Sequence, residues 1–533
     1  SACADGMQSL CCGSYANARG GMDQQEKTVR GSMGATALKT RTAGFWQRLL
    51  WGEVRRRPSY YIVIGLFLRL LGLVYLAAFA SFGAQVTGLV GSEGILPLAQ
   101  DLAVLQEEHG ALAPMLFPSV FWFDSSDLAL QATCLAGGVA AILLVLNIAT
   151  RLMLPLLFAL YLSLVYAGQV FMNFQWDFML LEAGFLAIFL PWGSPVVIWL
   201  MHWLLFRVRF QSGVAKLLSG DESWAGFTAL NHYFETQPIP HAGAWFAHQL
   251  PEWLLRAGTG WTFFVELLVP FMVFLPRRPR FVAAWLTIIM QLMIMATSNH
   301  NFFNLLTILL CLLLFDDQAV NAVTGWRWLN RLGERIPRPG RIANSFAMLL
   351  AAVIVSTSVT MMWAVWGKRD LPALMDKPVR WAVQWHLINN YHVFPVITTE
   401  RPELLVEGSN DGIFWQPYVF RYKAGEPARI APFIVPHQPR LDWQMWFAAL
   451  SPPHARTAFW IIDFRQRLLE GSPDVLALLS SNPFPDEPPA YIRVRIEKYR
   501  FTTMDERRDS GNWWDVEPLG MYLPPAALQT AAP

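Results

Sequence analysis

Long apolar runs recur between residues 60 and 366 and then stop. The runs at 60–82, 128–148, 152–172, 176–191, 195–206, 260–275, 281–297, 302–315 and 344–366 read as membrane spans, judged against the roughly 20 residues a bilayer crossing needs. Two of them, 176–191 and 195–206, are short and meet at PWGSP (191–195). They read as two tilted helices or as one broken hairpin, a form a membrane tolerates only when it is buried in protein. After 366 the pattern changes. Segments 392–397, 403–407, 414–423 and 491–501 read as strands, with Ile492, Val494 and Ile496 alternating onto one face. Helical stretches at 442–450 and 458–469 lie between them. Residues 1–43 carry no apolar periodicity and are expected to be disordered, with no signal peptide and with Met33 as a candidate start. The pattern predicts a disordered tail (1–43), an α-helical polytopic membrane bundle of about nine spans (44–366), and a C-terminal β-rich, sandwich-like domain with helical insertions (367–533).

Positive charge orients the spans. Arg48, Arg55, Arg56 and Arg57 precede the first and place the N-terminus inside. Loop 83–127 contains Glu93, Glu107, Glu108 and Asp124 but no Lys or Arg, so it is expected outside. Arg151, Arg277, Arg278, Arg280 and the basic stretch 327–341 then fall inside, and the C-terminal domain falls outside. Arg207, Arg209 and Lys216 break the rule, so these charges serve something other than topology.

Composition agrees with a membrane protein. The chain is 54% hydrophobic and 15% charged, against about 25% charged in soluble domains. A formal net charge of +2 excludes nucleic-acid binding through bulk charge. Cys3, Cys11 and Cys12 lie in the tail, and Cys134 and Cys311 lie in spans, where they read as small packing residues. The C-terminal domain has no Cys, which argues against cysteine-based redox chemistry there.

Arg69, Asp177, Glu182 and Glu266 lie in or at the ends of apolar segments. Each would cost about 2.5–3.5 kcal/mol at mid-bilayer, so each needs a partner. Asp177 and Glu182 fall roughly 140° apart on one helix and cannot act as a carboxylate pair. Arg69 meeting Glu182 or Glu266 across helices is the expected arrangement. The stretch 206–259 is too polar for a span and too aromatic for an ordinary loop, and reads as an interfacial cap with short helices. His232, Glu235, His241 and His248 cluster there, but Pro238 and Pro240 interrupt the spacing and neither HExxH nor CxxC occurs, so no metal site is expected. GxSxG, Walker A and GxGxxG are likewise missing, and no cofactor is expected.

WDFMLLEAGF (176–185), GVAKLLSGD (213–221), TALNHYFETQP (228–238), VEGSNDG (406–412) and APFIVPHQPRLDW (431–443) together resemble the lipase maturation factor family, over most of the chain beyond the tail. The resemblance implies a multi-pass membrane protein that assists exported lipases, in the endoplasmic reticulum in eukaryotes. The short chain is similar to bacterial members, for which the cytoplasmic membrane would be the site. A weaker similarity links GVAKL to the membrane part of vitamin K-dependent glutamyl carboxylases, which implies Lys216 as a catalytic base and an outward cavity for a lipid or quinone. The plain reading of Lys216 is a snorkelling interfacial lysine. In the C-terminal domain the EGSNDG…W pattern resembles the hairpin of discoidin-type sandwiches, which bind rather than catalyse. Trp415, His437, Gln438, Arg440, Asp442 and Trp443 are its candidate binding residues, beside His232, Glu235 and His241 of the cap. The expected function is binding of incompletely folded exported clients, with a carboxylase-like enzyme as the alternative.

Overall fold

The computed structural model describes residues 47, 50, 51, 58–324, 336–455 and 458–528. The tail with its three cysteines, Arg48, Arg55–Arg57 and residues 327–335 of the basic stretch lie outside the described residues. Pro58–Phe274 and Arg280–Pro533 form one compact unit, and Ser1–Arg57 with Leu275–Pro279 form another.

Among the described residues five helices are long and apolar enough to cross a membrane: α1 (Tyr61–Gly83), α2 (Asp127–Val145), α3 (Thr150–Ala167), α9 (Arg277–Thr297) and α12 (Arg341–Gly367). A sixth arises if α10 (Phe303–Leu312) and α11 (Asp317–Thr324), bent by 106°, count as one broken span. The protein is therefore a multi-pass membrane protein, but nine spans are not reproduced. The reasons are local. The run at 176–191 yields α4 (Gln175–Ala187), whose 13 residues reach about 20 Å, short of a roughly 30 Å hydrocarbon core. The run at 195–206 opens the 24-residue α5 (Pro195–Leu218), which continues through Arg207, Arg209 and Lys216 into the expected cap. The run at 260–275 is split between α8 (Glu252–Phe263), a π-helical turn Phe264–Leu268 and a last turn Val269–Met272. The remaining cap is two short helices, α6 (Ala229–Thr236) and α7 (Ala242–His248), preceded by the turn Glu222–Ala225.

Small residues let the spans approach. A Cβ on Gly137 of α2 would lie 2.2 Å from the Phe79 ring of α1, and one on Gly72 would lie 2.8 Å from Val145. The outward faces of α2, α9 and α12 keep Leu135, Leu292 and Leu349 exposed, as lipid contact requires. The first span is capped from a distance. Both carboxylate oxygens of Asp317 accept from the amides of Tyr61, Ile62 and Val63 at 2.9–3.1 Å, satisfying three of the four free N–H groups of the α1 N-terminus. Asp317→Ala is expected to lower stability by about 1–2 kcal/mol. Thermal unfolding in detergent checks this, and an unchanged midpoint would remove the cap's role.

After α13 (Ala373–Gln384) the C-terminal region builds one four-stranded antiparallel sheet, β2-β1-β3-β4, rather than a two-sheet sandwich. The strands are β1 (Arg401–Ser409), β2 (Gln416–Pro417), β3 (Tyr491–Phe501) and β4 (Trp514–Ala526). β1 packs on α14 (Arg440–Ala449) and β3 on α15 (Trp460–Leu469), with Leu404, Val406, Ile492 and Val494 buried. Segment 392–397 is not a strand. The amides of Tyr391, His392, Val393 and Ile397 go to the side chains of Gln211, Gln175, Ser212 and Asp221, so no ladder partner is left for them. In 414–423 only Gln416–Pro417 joins the sheet and Val419 forms an isolated bridge with Ser481, while the Tyr422 and Lys423 amides are taken by Asp442.

Candidate functional site

Three buried clusters join the helical part to the chain after residue 387. In the first, Glu182 of α4 accepts from the Arg207 guanidinium, and both side chains are fully buried. Its second oxygen accepts from the Asn389 amide at 3.1 Å and the Tyr391 hydroxyl at 2.8 Å. In the second, Arg440 of α14 makes a bidentate bridge to Asp177 at 2.6 and 2.8 Å, and Tyr161 of α3 donates to the same carboxylate. In the third, Glu266 of the π-turn faces two cations, Arg209 at 3.0 Å and Lys216 at 2.8 Å. Gly213 allows this approach, since a Cβ there would lie 2.8 Å from Leu267 and 2.9 Å from the Glu266 Cβ.

These pairings correct the expectation that Arg69 would meet Glu182 or Glu266. Arg69 instead donates to the Gly65 carbonyl 2.7 Å away, on its own helix. They also account for the exception to the charge rule, because Arg207, Arg209 and Lys216 are buried on α5 against carboxylates and carry no information about sides. Helix phase separates them. Arg209 and Lys216 are seven residues apart and share a face, whereas Arg207 lies roughly 200° from Arg209 and turns to another neighbour. Asn389 and Tyr391, which close the first cluster, gave no sequence signal because Glu182 lies more than 200 residues away.

The Lys216 ammonium is fully hydrogen-bonded. It has three donors and three acceptors: Glu266 at 2.8 Å, the Val393 carbonyl at 2.8 Å and the Ser212 carbonyl at 3.3 Å. The Trp224 ring lies 5.1 Å from its nitrogen, and the adjoining cavity holds only about 90 Å³.

The other candidates are spread rather than gathered. His241 caps α7, accepting from the Gly243 amide at 3.0 Å, and its other ring nitrogen lies 3.3 Å from the Met295 carbonyl. Glu235 accepts from the Phe501 amide at 2.7 Å, and burial raises its carboxyl above the usual range. His232, part-buried on α6, precedes Glu235 by one turn. Arg401, fully buried, donates to the Glu235 and Pro238 carbonyls and to Glu403, fastening β1 under this cap. Trp415 stacks on Arg493, 4.2 Å away, at a hairpin tip whose Ile413 and Phe414 are exposed. Asp442 is raised by burial and held by the Tyr422 and Lys423 amides. Gln438 donates its amide to Ser81 and accepts from Asn301.

His437 Nδ1 lies 2.9 Å from the Ser81 hydroxyl, and burial, with Arg440 and Arg421 nearby, pushes its imidazole from 6.5 to about 4. A histidine depressed in the folded state is stabilising above its unfolded value, and that contribution is lost as pH falls from about 6.5 towards 4. The melting temperature is therefore expected to drop over this window, and less so in His437→Gln. Equal slopes in the two proteins would refute the assignment.

The family model for the lipase maturation factor transmembrane domain matches residues 63–322, and that for the lipase maturation factor C-terminal domain matches 387–524. The chain belongs to the lipase maturation factor family. It is 31% identical to lipase maturation factor 2 of Xenopus tropicalis, over 87% of this chain and 82% of that one. It is 32% identical to lipase maturation factor 1 of Bos taurus, over 89% and 90%, and 32% identical to lipase maturation factor 2 of Homo sapiens, over 87% and 82%. No solved structure matches. These relatives are vertebrate, and neither they nor the family models point to a bacterial-type member or to a carboxylase. The first two clusters take residues from both matched segments, and Lys216 of the third reaches the Val393 carbonyl, so the clusters join the two family domains to each other.

Proposed function

We propose that this chain is a membrane-bound maturation factor for exported lipases, binding incompletely folded clients on the lumenal side of the endoplasmic reticulum membrane. The match to lipase maturation factors over both domains carries the reading. The client surface is the C-terminal region, whose exposed Ile413 and Phe414 project beside Trp415. The test is re-expression in cells lacking their own factor, reading secreted lipase activity per molecule of lipase and recovery of the lipase with the tagged chain. Restored activity with recovery supports the proposal. Secretion of active lipase that is indifferent to the chain would end it. The satisfied ammonium of Lys216 offers no support for an enzymatic alternative.

One span, rather than a count, supports the lumenal side. Ser81 and Gln85, at the C-terminal end of α1, hydrogen-bond Gln438 and Arg440. The C-terminal region therefore sits at the end of α1 opposite Tyr60, and the arginines before Tyr60 in the sequence favour the cytoplasmic side for that end. In a cysteine-free background, Ser510→Cys, at an exposed position, is expected to react with an impermeant maleimide only after microsomes are opened. Labelling of sealed microsomes would reverse the orientation.

A further inference from the structure

The small cavity beside Lys216 lies between α5, the π-turn, α6 and segment 393–394, and its charges do not balance. Arg209 and Lys216 both line it, and Glu266 is the one carboxylate that does so among the described residues. The three side chains are only 4–5% exposed. Lys216 is charged, because acceptors at 2.8–3.3 Å hold all three of its ammonium protons. Glu266 and Arg209 are the charged groups that act on it. His300, also in the wall, is neutral, since burial pushes it down to about 4. Two cations against one carboxylate leave one positive charge out of water without a partner, a costly arrangement. The other crowded carboxylate is different. Arg401 and Lys423 share Glu403, but Glu235 stands beside Arg401 and Asp442 beside Lys423.

One donor of the cluster is open. Buried Arg207, Arg401 and Arg440 use both terminal guanidinium nitrogens. Arg209 uses one: its Nη2 goes to Glu266 at 3.0 Å and to the Met290 sulfur at 2.9 Å. Its Nη1 has no partner among the described residues and, unlike its Nε, is not sealed from the cavity that Arg209 lines. Asn304, in the same wall, gives one amide proton to Gln291 at 2.9 Å and keeps a second. A water molecule would satisfy the open donor but not the charge. We propose that this cavity binds a small monovalent anion of the halide class as counter-ion to Arg209 and Lys216. A dianion would overshoot the charge. The room is about 90 Å³ and the wall includes apolar Leu230, Ile294 and Phe303, so the anion must shed its water and weakly hydrated ions bind best. His300, Phe303, Val393 and Phe394 also line a second cavity, so one layer of side chains separates the two. That second cavity opens at His392 and Val396, both exposed, which gives the anion its way in. Because the Val393 carbonyl also holds Lys216, the anion sits in the joint between the two family domains. This site is independent of the client-binding proposal.

The test uses the full-length chain, purified in detergent and exchanged into gluconate buffer at constant ionic strength. Binding of radiolabelled chloride, read by scintillation proximity, is expected to saturate near one ion per chain. Bromide is expected to displace it better than unlabelled chloride does, and sulfate not at all. The melting midpoint is expected to rise saturably with chloride, by about 2 °C at tenfold above half-saturation. Lys216→Met and Arg209→Met each leave a single cation facing Glu266, and each is expected to lose both responses. Gel filtration and melting in gluconate establish that the variants are folded, and the wild-type stoichiometry and ion order decide if either is not. A chloride response of equal slope in wild type and variants would be a bulk salt effect and would overturn the proposal. So would a wild type without saturable chloride binding, which leaves water in the cavity. Displacement by sulfate as strong as by bromide would remove the monovalent assignment.

Discussion

Arg440→Ala is expected to cost about 3–5 kcal/mol, enough to unfold much of the protein in detergent. The guanidinium and the Asp177 carboxylate are both fully excluded from solvent, and they meet in two parallel hydrogen bonds. Removing the arginine leaves a buried carboxylate with only the Tyr161 hydroxyl for compensation. It also removes the cation that lies 5.8 Å from the Phe174 ring and 5.9 Å from the Phe82 ring, so helices α1, α3 and α4 would lose a common anchor with α14. Arg440→Lys should recover only part of the loss, because an ammonium cannot form the two-pronged bridge. The double change Asp177→Leu with Arg440→Met should lose less than Arg440→Ala alone, because the cost lies mainly in the uncompensated charge. Melting followed by tryptophan fluorescence, with gel filtration for dispersity, checks the series. If Arg440→Ala melts with the wild type, the bridge is not what holds the two family domains together.

The parts that were legible in the sequence are those whose cause is local. Long uninterrupted apolar runs gave α1, α2, α3, α9 and α12, because burying that many apolar residues in lipid requires no information about neighbours. The alternation in 491–501 gave β3, whose register against β1 pairs Leu404 with Ile496 and Val406 with Val494. The illegible parts depend on distant partners. α4 is too short to span, yet its Asp177 and Glu182 are completely buried, because the partners come from α5 and from beyond residue 387. Segment 392–397 has strand composition but spends its amides on side chains of the helical part. β4 was missed because Pro518, Gly520, Pro524 and Pro525 argue against a strand; it survives as an edge, with register shifts where prolines can be accommodated. Of the candidate site residues, Lys216 reads from the sequence as a snorkelling interfacial lysine, whereas it is buried and shares Glu266 with Arg209. That error hid the charge balance on which the remaining prediction turns.

Around Glu266 two cations share one carboxylate, so the three side chains are not equivalent. Lys216→Ala does not strand Glu266, because Arg209 still reaches it at 3.0 Å. Lys216→Met, which keeps the length of the chain, removes the surplus charge and leaves a balanced pair, with the Ser212 and Val393 carbonyls losing one donor. Under-satisfied carbonyls are tolerated better than buried charge, so the loss should be about 1 kcal/mol. Glu266→Gln does the opposite. It leaves two cations, 5% and 4% exposed, facing a neutral amide, and should cost about 3–5 kcal/mol or more. The expected order is therefore Glu266→Gln far below Lys216→Met, with lipase maturation by Lys216→Met close to wild type. A catalytic lysine predicts a different pattern: Lys216→Met folded and stable but inactive. Thermal melting and secreted lipase activity, measured on the same two variants, separate the cases. A stable, inactive Lys216→Met would mean that the ammonium does chemistry rather than fastening α5 to the π-turn.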